Sequence, residues 1–576
     1  MKVTDYIAEF LESQGITCVF ELAGGMITHL LDSLYHNKNI KVISMHHEQG
    51  AAFAADAFGR VTGLPGIALA TSGPGATNLL TGIASCYFDS SPAIFITGQV
   101  NTYEQKGDRE IRQLGFQETD IVKMSMPIVK KAYSVKKSEE VPEIFEEAFR
   151  IAISGRPGPM LIDLPMNVQR EQINNFNFKK IKKNKFKNDI NFSIKDTETV
   201  IEKLLKAERP LILAGRGIHS AFVLDEFVKF VERIKIPVVS SLLATDVLSF
   251  NHPYRVGFIG SYGNRWANIA LGTCDCLLVL GSRLDIRQTG ADVDSFIQDK
   301  TIIHVDIEKE EINNRVRTGI GINEELSVFL KEINNAISNI EIVPKNKWIN
   351  TISDLKIKWP DIKELNHISG INPNLFISKL SEKAINVKYF VADVGNHQMW
   401  AAQSLRLSED QRFITSGGMG AMGFALPASI GVTISSNYSC TILIAGDGGF
   451  QVNIQELQTV VRNNLPIKII ILNNNSLGMI KQFQDSYFES RYQSSYWGYS
   501  APNFELVAKA YGIESLTVKD ENEIESALDW LLKDDNKPQL LQVEIDVNSN
   551  AYPKLAFGKP ITEMEPFAKP LDMEGT

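Results

Sequence analysis

Two short polar segments in the last third of the chain carry residue types that bind metal ions and phosphates. Asp447 stands among glycines in the run Ala-Gly-Asp-Gly-Gly-Phe, and Asn474 lies within a run of three asparagines. Mg²⁺ prefers hard oxygen ligands and fills its remaining positions with water and substrate phosphates. Glycine lets a diphosphate approach the main chain closely. The two segments together indicate a magnesium diphosphate site, although Gly-Asp-Gly alone is more often a turn.

The elements around these segments form a strand–helix–strand unit. An apolar strand over 441–445 precedes Asp447, an amphipathic helix is predicted over 451–463, and a second apolar strand over 467–472 precedes Asn474. Parallel strands of such a unit end at the same edge of the sheet, which is where α/β sheets bind ligands. We therefore expect Asp447 and Asn474 to face each other across one cavity.

A second acid, Glu48, follows a predicted strand over 41–45 and opens an alanine-rich helix. For an isolated glutamate, attraction to the positive end of the helix is sufficient explanation. Other predicted strands of this region also lead into polar or glycine-rich loops, over 71–78 and 97–100. The region therefore offers a second group of candidate site residues.

Composition narrows the class of protein. The chain has 576 residues, 44% hydrophobic and 22% charged, which is ordinary for a globular protein of three or four domains. Its net charge of −9 argues against a general nucleic-acid partner. The five scattered cysteines do not form a disulfide framework, and neither a signal peptide nor an apolar run long enough to span a bilayer is present. We expect a cytoplasmic protein with no membrane partner.

Alternating helix and strand patterns predict an α/β protein with three doubly wound parallel-sheet domains. The basic stretch over 179–187 is interpreted as a solvated linker rather than a nucleic-acid arm. The predicted order is a domain over 1–170, a linker over 171–196, a domain over 197–340, a linker over 341–372, a domain over 373–560 and a C-terminal tail over 561–576.

Strands of the central domain end in glycines or acids, as in Gly-Arg-Gly at 215–217 and at Asp306. Such ends suit a dinucleotide lying across the strand tips. A full G-x-G-x-x-G motif is absent, so this pattern is weak by itself.

Taken together, these segments resemble thiamine diphosphate enzymes, and in detail the large subunit of acetolactate synthases. The resemblance covers nearly the whole chain. Besides the segment from Asp447 to Asn474, it rests on the matching motifs at 47–51, 71–78, 97–100, 116–118 and 154–159. It implies a pyrimidine-binding first domain, a central FAD-binding domain and a diphosphate-binding last domain. It also implies the cofactors thiamine diphosphate, Mg²⁺ and FAD.

The resemblance assigns roles residue by residue. For thiamine diphosphate it implies Glu48, Gly73, Asn78, Asn396, His397, Gly420, Met422, Gly446, Gly448, Gly449 and Met479. For Mg²⁺ it implies Asp447, Asn474 and Ser476. For FAD it implies Arg156, Gly215, Gly217, Ser261, Tyr262, Gly281, Arg283, Asp285, Arg287, Asp306 and Ile307. For catalysis it implies Glu48, Gln99, Phe116, Gln117 and Lys130, and for the second substrate Arg283 and Phe483.

In the implied mechanism, Glu48 shares a proton with the pyrimidine ring of the cofactor, and the resulting imine removes the proton of the thiazolium ring. A bulky residue at Met422 holds the cofactor bent. The enzyme then decarboxylates pyruvate and transfers the hydroxyethyl unit to a second 2-oxoacid. The products are of the 2-acetolactate type, which serve branched-chain amino-acid biosynthesis.

The acceptor side departs from the family pattern. Phe483 stands where the family usually has tryptophan, and Ser261 and Tyr262 stand where it has Met-His. A different acceptor ketone, such as a nucleotide-linked keto sugar, is therefore the alternative. A FAD-dependent pyruvate oxidase and a non-enzymatic paralogue are further alternatives. The resemblance also implies a homodimer or homotetramer with the active site between subunits, and it leaves open a small regulatory subunit.

Overall fold

The computed structural model describes residues 1–174, 178–182, 194–534 and 536–571. Three six-stranded parallel sheets follow one another along the chain, each covered by helices on both faces. This confirms the predicted α/β class with three parallel-sheet domains. Parts of the predicted first linker, 175–177 and 183–193, and the end of the predicted tail, 572–576, lie outside the described residues.

The first sheet has the strand order β2-β1-β3-β4-β6-β5. Its central strands are wholly buried, because their apolar side chains face helices on both sides of the sheet. The strands are β1 Cys18–Glu21, β2 Lys41–Ser44, β3 Gly66–Ala70, β4 Ala93–Gln99, β5 Lys131–Ser134 and β6 Pro159–Pro165. The helices are α1 Val3–Ser13, α2 Thr28–His36, α3 Glu48–Thr62, α4 Pro74–Asn78, α5 Leu80–Phe88, α6 Ile121–Ser125, α7 Val141–Ile153 and α8 Met166–Arg170.

The central sheet has the order β12-β11-β10-β7-β8-β9. Its strands are β7 Pro210–Ala214, β8 Val238–Ser240, β9 Arg255–Phe258, β10 Cys276–Leu280, β11 Thr301–Asp306 and β12 Ile320–Asn323. Its helices are α9 Ile194–Lys206, α10 Gly217–Ser220, α11 Leu224–Ile234, α12 Arg265–Thr273, α13 Ile286–Thr289, α14 Val293–Ile297, α15 Leu326–Ala336 and α16 Asn346–Lys358.

Helix α16 falls in the stretch 341–372 that the sequence analysis interprets as a linker. Trp348 and Ile352 are buried in the core cluster of the central sheet, and the indole of Trp348 donates to the Pro210 carbonyl (3.1 Å). The apolar face of this segment therefore packs onto the central domain. Similarly, the predicted tail packs onto the domains at Met564 and Glu565, whose main-chain oxygens both accept from the Arg265 guanidinium (3.4 and 3.2 Å).

The last sheet has the order β14-β13-β15-β16-β18-β17, and a short hairpin of β19 with β20 follows it. Its strands are β13 Tyr389–Ala392, β14 Arg412–Thr415, β15 Thr441–Gly446, β16 Ile467–Asn473, β17 Glu514–Val518, β18 Gln539–Glu544, β19 Lys554–Leu555 and β20 Met564–Glu565. Its helices are α17 Pro373–Lys383, α18 Asn396–Ser404, α19 Ala425–Ser435, α20 Asp447–Val452, α21 Leu457–Arg462, α22 Gly478–Tyr487, α23 Phe504–Ala510 and α24 Ile524–Leu531.

The predicted helix over 451–463 is not continuous in the structure. It begins at Asp447, directly after β15, and is interrupted at Asn453, where the backbone leaves the helical region (φ −127°). The side-chain amide of Asn453 donates to the Gly423 carbonyl (2.8 Å) and to the Gln49 side chain (3.0 Å). At the break in the helix, Asn453 is therefore bonded to the loop before α19 and to the first domain.

Each sheet has a switch point, at which successive connections lead to opposite sides: between β1 and β3, between β10 and β7, and between β13 and β15. In open parallel sheets a crevice forms at this switch point, outside the carboxyl ends of the two strands, and ligands bind there. The three switch points therefore define three crevices for the candidate site residues.

Candidate functional site

The crevice of the last sheet holds Asp447, the first residue of α20, beside Asn474 at the end of β16. Asp447 is only 2% exposed, and burial raises the pKa of its carboxyl to about 6. Hydrogen bonds oppose this rise: the Tyr499 hydroxyl donates to Asp447 Oδ2 (3.0 Å), and the Ser476 amide also donates to the carboxylate. The same amide donates to Asn474 Oδ1 (3.2 Å). The backbone amide of Ser476 therefore bonds to both predicted oxygen ligands, Asp447 and Asn474, and holds them close together.

Three polar atoms in this crevice are buried and have no hydrogen-bond partner within the described residues. They are His397 Nε2, Asn396 Oδ1 and Ser476 Oγ. Burial lowers the pKa of the His397 imidazole to about 3, so the ring is neutral at physiological pH. An unpaired buried polar atom costs about 1–3 kcal/mol. The set therefore fits a polar ligand that would satisfy it, such as a diphosphate with its metal ion.

The glycines predicted at this crevice fall into two kinds. At Gly420, φ is +63° and a Cβ atom would meet nothing within 4 Å, so its backbone faces open space. At Gly448 a Cβ atom would lie 2.5 Å from Leu477, and at Gly449 it would lie 2.6 Å from Asp393 Oδ1. At Gly446 it would lie 2.7 Å from His397 Nδ1. Gly420 thus leaves room for a ligand, whereas the other three are required by packing between the loops.

Asp393 is a buried residue of this crevice that the sequence analysis does not select. Its carboxylate accepts from the backbone amides of Val394 (2.8 Å), Gly423 (3.0 Å) and Ala425 (2.9 Å). Burial raises its pKa to about 6. Asp393 therefore fixes the glycine-rich loop that carries Gly420 and Met422. Its position at the end of β13 is the signal that could have identified it.

The crevice of the first sheet holds Glu48 at the start of α3. Glu48 is 6% exposed, and Asn78 donates to its Oε2 (3.0 Å). A Cβ atom at Gly75 would lie 3.2 Å from Glu48 Oε1, so the glycine keeps the loop after β3 close to the carboxyl. Gly73, at φ +64°, packs against Gln117 in the same way (2.9 Å). The structure thus brings four of the predicted residues of this domain together.

Gln99 and Lys130 have internal partners instead. The Gln99 amide donates to Asp163 Oδ2 (3.0 Å) and to the Thr119 carbonyl (2.9 Å). The Lys130 ammonium donates to three main-chain carbonyls, of Ile151, Ser154 and Arg156, at 2.6 to 2.8 Å. These bonds hold the end of α7 and the following turn. The three donors of Lys130 are therefore bonded to the main chain, and its catalytic role stays a prediction.

Phe116, in contrast, has no cover within the described chain, with 80% of its surface exposed. It lies on the same loop as Gln117, whose φ is +65°.

No hydrogen bond between described residues joins Glu48 to Asp447 or Asn474. Within one chain the start of α3 contacts Glu456 instead, whose Oε1 accepts from the His46 amide (2.9 Å). Within the described residues, the two halves of the predicted thiamine diphosphate site therefore make no direct hydrogen bond between these side chains.

The crevice of the central sheet opens into a cavity of about 370 Å³ that reaches the last domain. Ten of the eleven residues predicted for FAD line it; Gly215 does not. A Cβ atom at Gly215 would lie 2.2 Å from the Gly281 carbonyl, so Gly215 lets two loops pack below the cavity. Those that line the cavity are Arg156, Gly217, Ser261, Tyr262, Gly281, Arg283, Asp285, Arg287, Asp306 and Ile307.

Charges along this cavity are mostly paired. Arg156 donates to Glu308 (2.8 Å) and Glu311 (3.0 Å), and Arg283 donates to Asp285 (3.3 Å). Burial raises the pKa of Asp306 to about 6. Gly420 and Met479, both predicted for thiamine diphosphate, also line this cavity, which therefore adjoins the diphosphate crevice.

Phe483, predicted at the second substrate, lies on α22 one turn after Met479. It packs against Tyr487 (ring centroids 4.7 Å apart) and Phe488 (5.9 Å) and is 38% exposed. It does not line the central cavity.

Among the described residues, no group of three His, Cys, Asp or Glu side chains could hold a metal ion. The predicted Mg²⁺ ligands are of another kind, because they include only one carboxylate, with the amide of Asn474 and the residue Ser476. None of the helices in the described ranges combines the length and the apolar character that a membrane-spanning helix requires.

Comparison with known proteins covers all three sheets. The chain matches the family models of thiamine pyrophosphate enzymes for the N-terminal TPP binding domain over residues 1–124, the central domain over 197–333 and the C-terminal TPP binding domain over 393–543.

Individual relatives match over almost the entire length. A probable acetolactate synthase large subunit of Methanocaldococcus jannaschii is 36% identical over 582 residues, which cover 98% of this chain and 95% of that protein. The large subunit of acetolactate synthase isozyme 2 of Escherichia coli is 34% identical, with 98% and 99% covered. The acetolactate synthase large subunit of Buchnera aphidicola is 36% identical, with 97% of each chain covered. The chain therefore belongs to the thiamine pyrophosphate enzymes, and within them to the family of acetolactate synthase large subunits.

Proposed function

We propose that the protein is a carboligase with acetolactate synthase activity, dependent on thiamine diphosphate and Mg²⁺. It joins two pyruvate molecules into one 2-acetolactate and one carbon dioxide, in branched-chain amino-acid biosynthesis. The observation that carries the proposal is the crevice of the last sheet. There a buried carboxylate, an amide oxygen and three unpartnered polar atoms converge, in a chain that matches acetolactate synthase large subunits over nearly its whole length.

In this proposal each domain binds a different cofactor or a different part of one. Residues 1–170 bind the pyrimidine of the cofactor, 197–340 bind FAD, and 373–560 bind the diphosphate. When bound, thiamine diphosphate supplies the carbanion chemistry that a protein side chain cannot supply. Asp447, Asn474 and Ser476 hold Mg²⁺, which prefers such oxygen ligands.

The proposed chemical role of Glu48 is to hold a proton at a pyrimidine nitrogen. The Asn78 amide orients its carboxyl by donating to Oε2 (3.0 Å), and burial excludes water from the pair. Around the diphosphate, Asn396 and His397 meet the ligand with their buried unpartnered atoms. Met422, 37% exposed beside the Gly448 loop, sets the position of the thiazolium ring.

FAD is proposed for the central cavity, where ten predicted residues meet at a switch point. Arg283 and its partner Asp285 lie at the end of the cavity nearest α13, where Arg283 is proposed to hold the carboxylate of the second oxoacid. Phe483 is proposed to form the apolar wall for that substrate. Its exposure leaves it accessible to a substrate that arrives beside Met479.

We further propose a homodimer, or a tetramer built from such dimers, whose active sites each combine Glu48 of one chain with Asp447 of another. Large apolar side chains left exposed on the Phe116 loop and the nearby helix α6 support this, such as Phe116 (80%) and Met124 (52%). The relatives are named large subunits, which supports a separate small regulatory subunit. The buried cysteines Cys18, Cys86, Cys274 and Cys276 form no disulfide, which supports a cytoplasmic location.

Product analysis tests the activity. Purified protein is incubated with thiamine diphosphate, Mg²⁺, FAD and ¹³C-labelled pyruvate as the only substrate. We expect one labelled 2-acetolactate and one carbon dioxide for every two pyruvates consumed. Slow carbon dioxide release without acetolactate would refute pyruvate as the acceptor, and keto sugars would then be tested. Bleaching of the flavin by pyruvate without oxygen would indicate an oxidase instead.

A further inference from the structure

The segment 488–500 follows α22 and folds back over the start of that helix. The Leu477 amide, directly before α22, donates to the Ser495 carbonyl (2.8 Å). Gly498 then turns the chain at φ +76°, a backbone conformation that favours glycine. The next residue is Tyr499, which the sequence analysis does not select. The fold therefore returns a tyrosine from beyond α22 to the crevice of the last sheet.

Tyr499 is half-buried, and its hydroxyl lies against Asp447. The hydroxyl donates to Asp447 Oδ2 (3.0 Å), and among the described residues no other side chain hydrogen-bonds to this carboxylate. A Cβ atom at Gly448 would lie 3.2 Å from the same hydroxyl. The Gln451 side chain, on the same helix as Asp447, bonds to the Tyr499 hydroxyl and donates to the Asp447 main-chain carbonyl (3.3 Å). The hydroxyl is therefore held in place beside the carboxylate.

The other donors to the Asp447 carboxylate are main-chain amides, those of Asp447, Gly448 and Ser476. The Ser476 amide also donates to Asn474 Oδ1, so it serves both predicted ligands. Tyr499 is therefore the donor that a substitution can remove while the main chain stays unchanged.

Orientation matters at this carboxylate because it is the only one among the three predicted Mg²⁺ ligands. Mg²⁺ requires nearly ideal octahedral geometry, whereas Ca²⁺ accepts a larger and more variable set of oxygen ligands. Hydrogen bonds from neighbouring groups fix a ligating carboxylate, and their loss typically lowers metal affinity by about 10- to 100-fold. A phenol hydroxyl donates well to a carboxylate, which can only accept. The contact of Tyr499 with Asp447 is of this kind.

We propose that Tyr499 is a positioning residue of the metal site, whose hydroxyl holds the Asp447 carboxylate in the orientation that Mg²⁺ requires. Tyr499 does not bind the ion itself. This inference rests on the proposed Mg²⁺ site at Asp447, Asn474 and Ser476. Without the hydroxyl the carboxylate is less constrained, and the ion that tolerates the least distortion loses the most affinity. The role is therefore measurable as a change in the preference between Mg²⁺ and Ca²⁺.

The test measures the concentrations of Mg²⁺ and of Ca²⁺ that give half-maximal binding of thiamine diphosphate to the purified full-length protein. Quenching of tryptophan fluorescence reports this binding without turnover. In Tyr499→Phe, which removes only the hydroxyl, the half-saturating Mg²⁺ concentration should rise by about tenfold. The half-saturating Ca²⁺ concentration should rise by less than about threefold, because Ca²⁺ tolerates a displaced carboxylate.

Tyr492→Phe is the matched control. Tyr492 lies on the same segment, and its hydroxyl also donates to a carboxylate, that of Asp485 on α22, which is not a predicted ligand. Both ions should keep their wild-type half-saturating concentrations in this variant. Thermal unfolding without ligand shows whether either variant has lost its fold.

The outcomes separate this inference from the proposed metal site. An unchanged half-saturating Mg²⁺ concentration in Tyr499→Phe overturns the role of Tyr499, and a large loss in Asp447→Ala then leaves the metal site standing. An equal rise for both ions also overturns it, as does an equal rise in Tyr492→Phe, because the effect is then one of a loosened segment. If Ca²⁺ does not support binding to the wild-type protein, the comparison of the two tyrosine variants in Mg²⁺ decides alone. Binding of thiamine diphosphate to the wild-type protein without dependence on Mg²⁺ refutes both the metal site and this inference.

Discussion

The two halves of the proposed thiamine diphosphate site differ in whether their polar side chains have hydrogen-bond partners within the protein. In the first domain the side chains bond to one another or to the main chain: Asn78 donates to Glu48, and Gln99 donates to Asp163. In the last domain three buried polar atoms, among them His397 Nε2, have no partner in the described structure. The first half is therefore arranged before a ligand arrives, and the second is completed by the ligand and its metal ion.

This difference predicts a division of effects. Substitutions in the first half should reduce the rate of the reaction or the stability of the domain, with little change in cofactor affinity. Substitutions in the second half should reduce cofactor affinity.

The largest effect is expected for Glu48→Gln. The amide cannot hold a transferable proton at the pyrimidine, so kcat should fall by about 10²- to 10⁴-fold while thiamine diphosphate affinity changes only a few-fold. Steady-state kinetics and a cofactor titration measure the two quantities. Glu143→Gln, an exposed glutamate in the same domain, serves as the matched control. Near-normal kcat in the Glu48 variant would contradict the proton role.

Asp447→Ala should instead act on binding. Loss of the only predicted carboxylate ligand should weaken Mg²⁺-dependent thiamine diphosphate affinity by about a hundredfold or more. Quenching of tryptophan fluorescence during a cofactor titration at fixed Mg²⁺ follows this loss. Asp529→Ala removes an exposed carboxylate that pairs with Lys383, and it should leave the titration unchanged. An unaltered cofactor titration in the Asp447 variant would remove it from the metal site.

Lys130→Met should lower stability rather than activity. It removes three charge-assisted bonds to carbonyls at the end of α7, which is expected to cost about 2–4 kcal/mol in free energy of unfolding. Thermal unfolding and kcat per folded molecule separate the two quantities. Lys131→Met removes a surface pair with Glu147 and a contact of the ammonium with the Tyr133 ring, and it should cost less than about 1 kcal/mol. A kcat loss in Lys130→Met as large as that of Glu48→Gln would support its catalytic role.

The effect expected at Asp163 is confined to the pH dependence of stability. Burial raises the pKa of its carboxyl to about 7, above the ordinary aspartate value. The folded state therefore binds a proton more tightly than the unfolded chain, and Asp163 makes stability fall as pH rises from about 4 to 7. The slope from this group is at most about 1.4 kcal/mol per pH unit. Melting temperatures between pH 5 and 8 should decline less in Asp163→Asn, and parallel curves for the two proteins would contradict this.

Much of this site follows from sequence because strand ends are encoded locally. A buried apolar strand followed directly by Asp447 or Asn474 can be recognised within a dozen residues, and parallel strands must deliver both to one edge. The central strands and their helices follow from the same local patterns. The motifs also predicted the FAD set, of which ten residues line one cavity.

Side-chain pairing across long chain separations could not be predicted in this way. Gln99 and Lys130 looked available for chemistry, but Asp163 and the carbonyls after α7 occupy their donors. Asp393 was missed because its role depends on amides of a loop some thirty residues away. Trp348 in the predicted linker was missed because burial of one apolar face depends on a surface that the local pattern does not contain.

Subunit complementation tests most directly whether the two halves form one site across an interface. Chains carrying Glu48→Gln and chains carrying Asp447→Ala are co-expressed with different tags, and hybrid dimers are purified by both tags. A hybrid dimer should contain one site with both substitutions and one site with neither. Acetolactate formation from pyruvate should therefore recover to about half of the wild-type rate per dimer, although each variant alone is inactive. Hybrid dimers that remain inactive would contradict a site shared between Glu48 of one chain and Asp447 of the other.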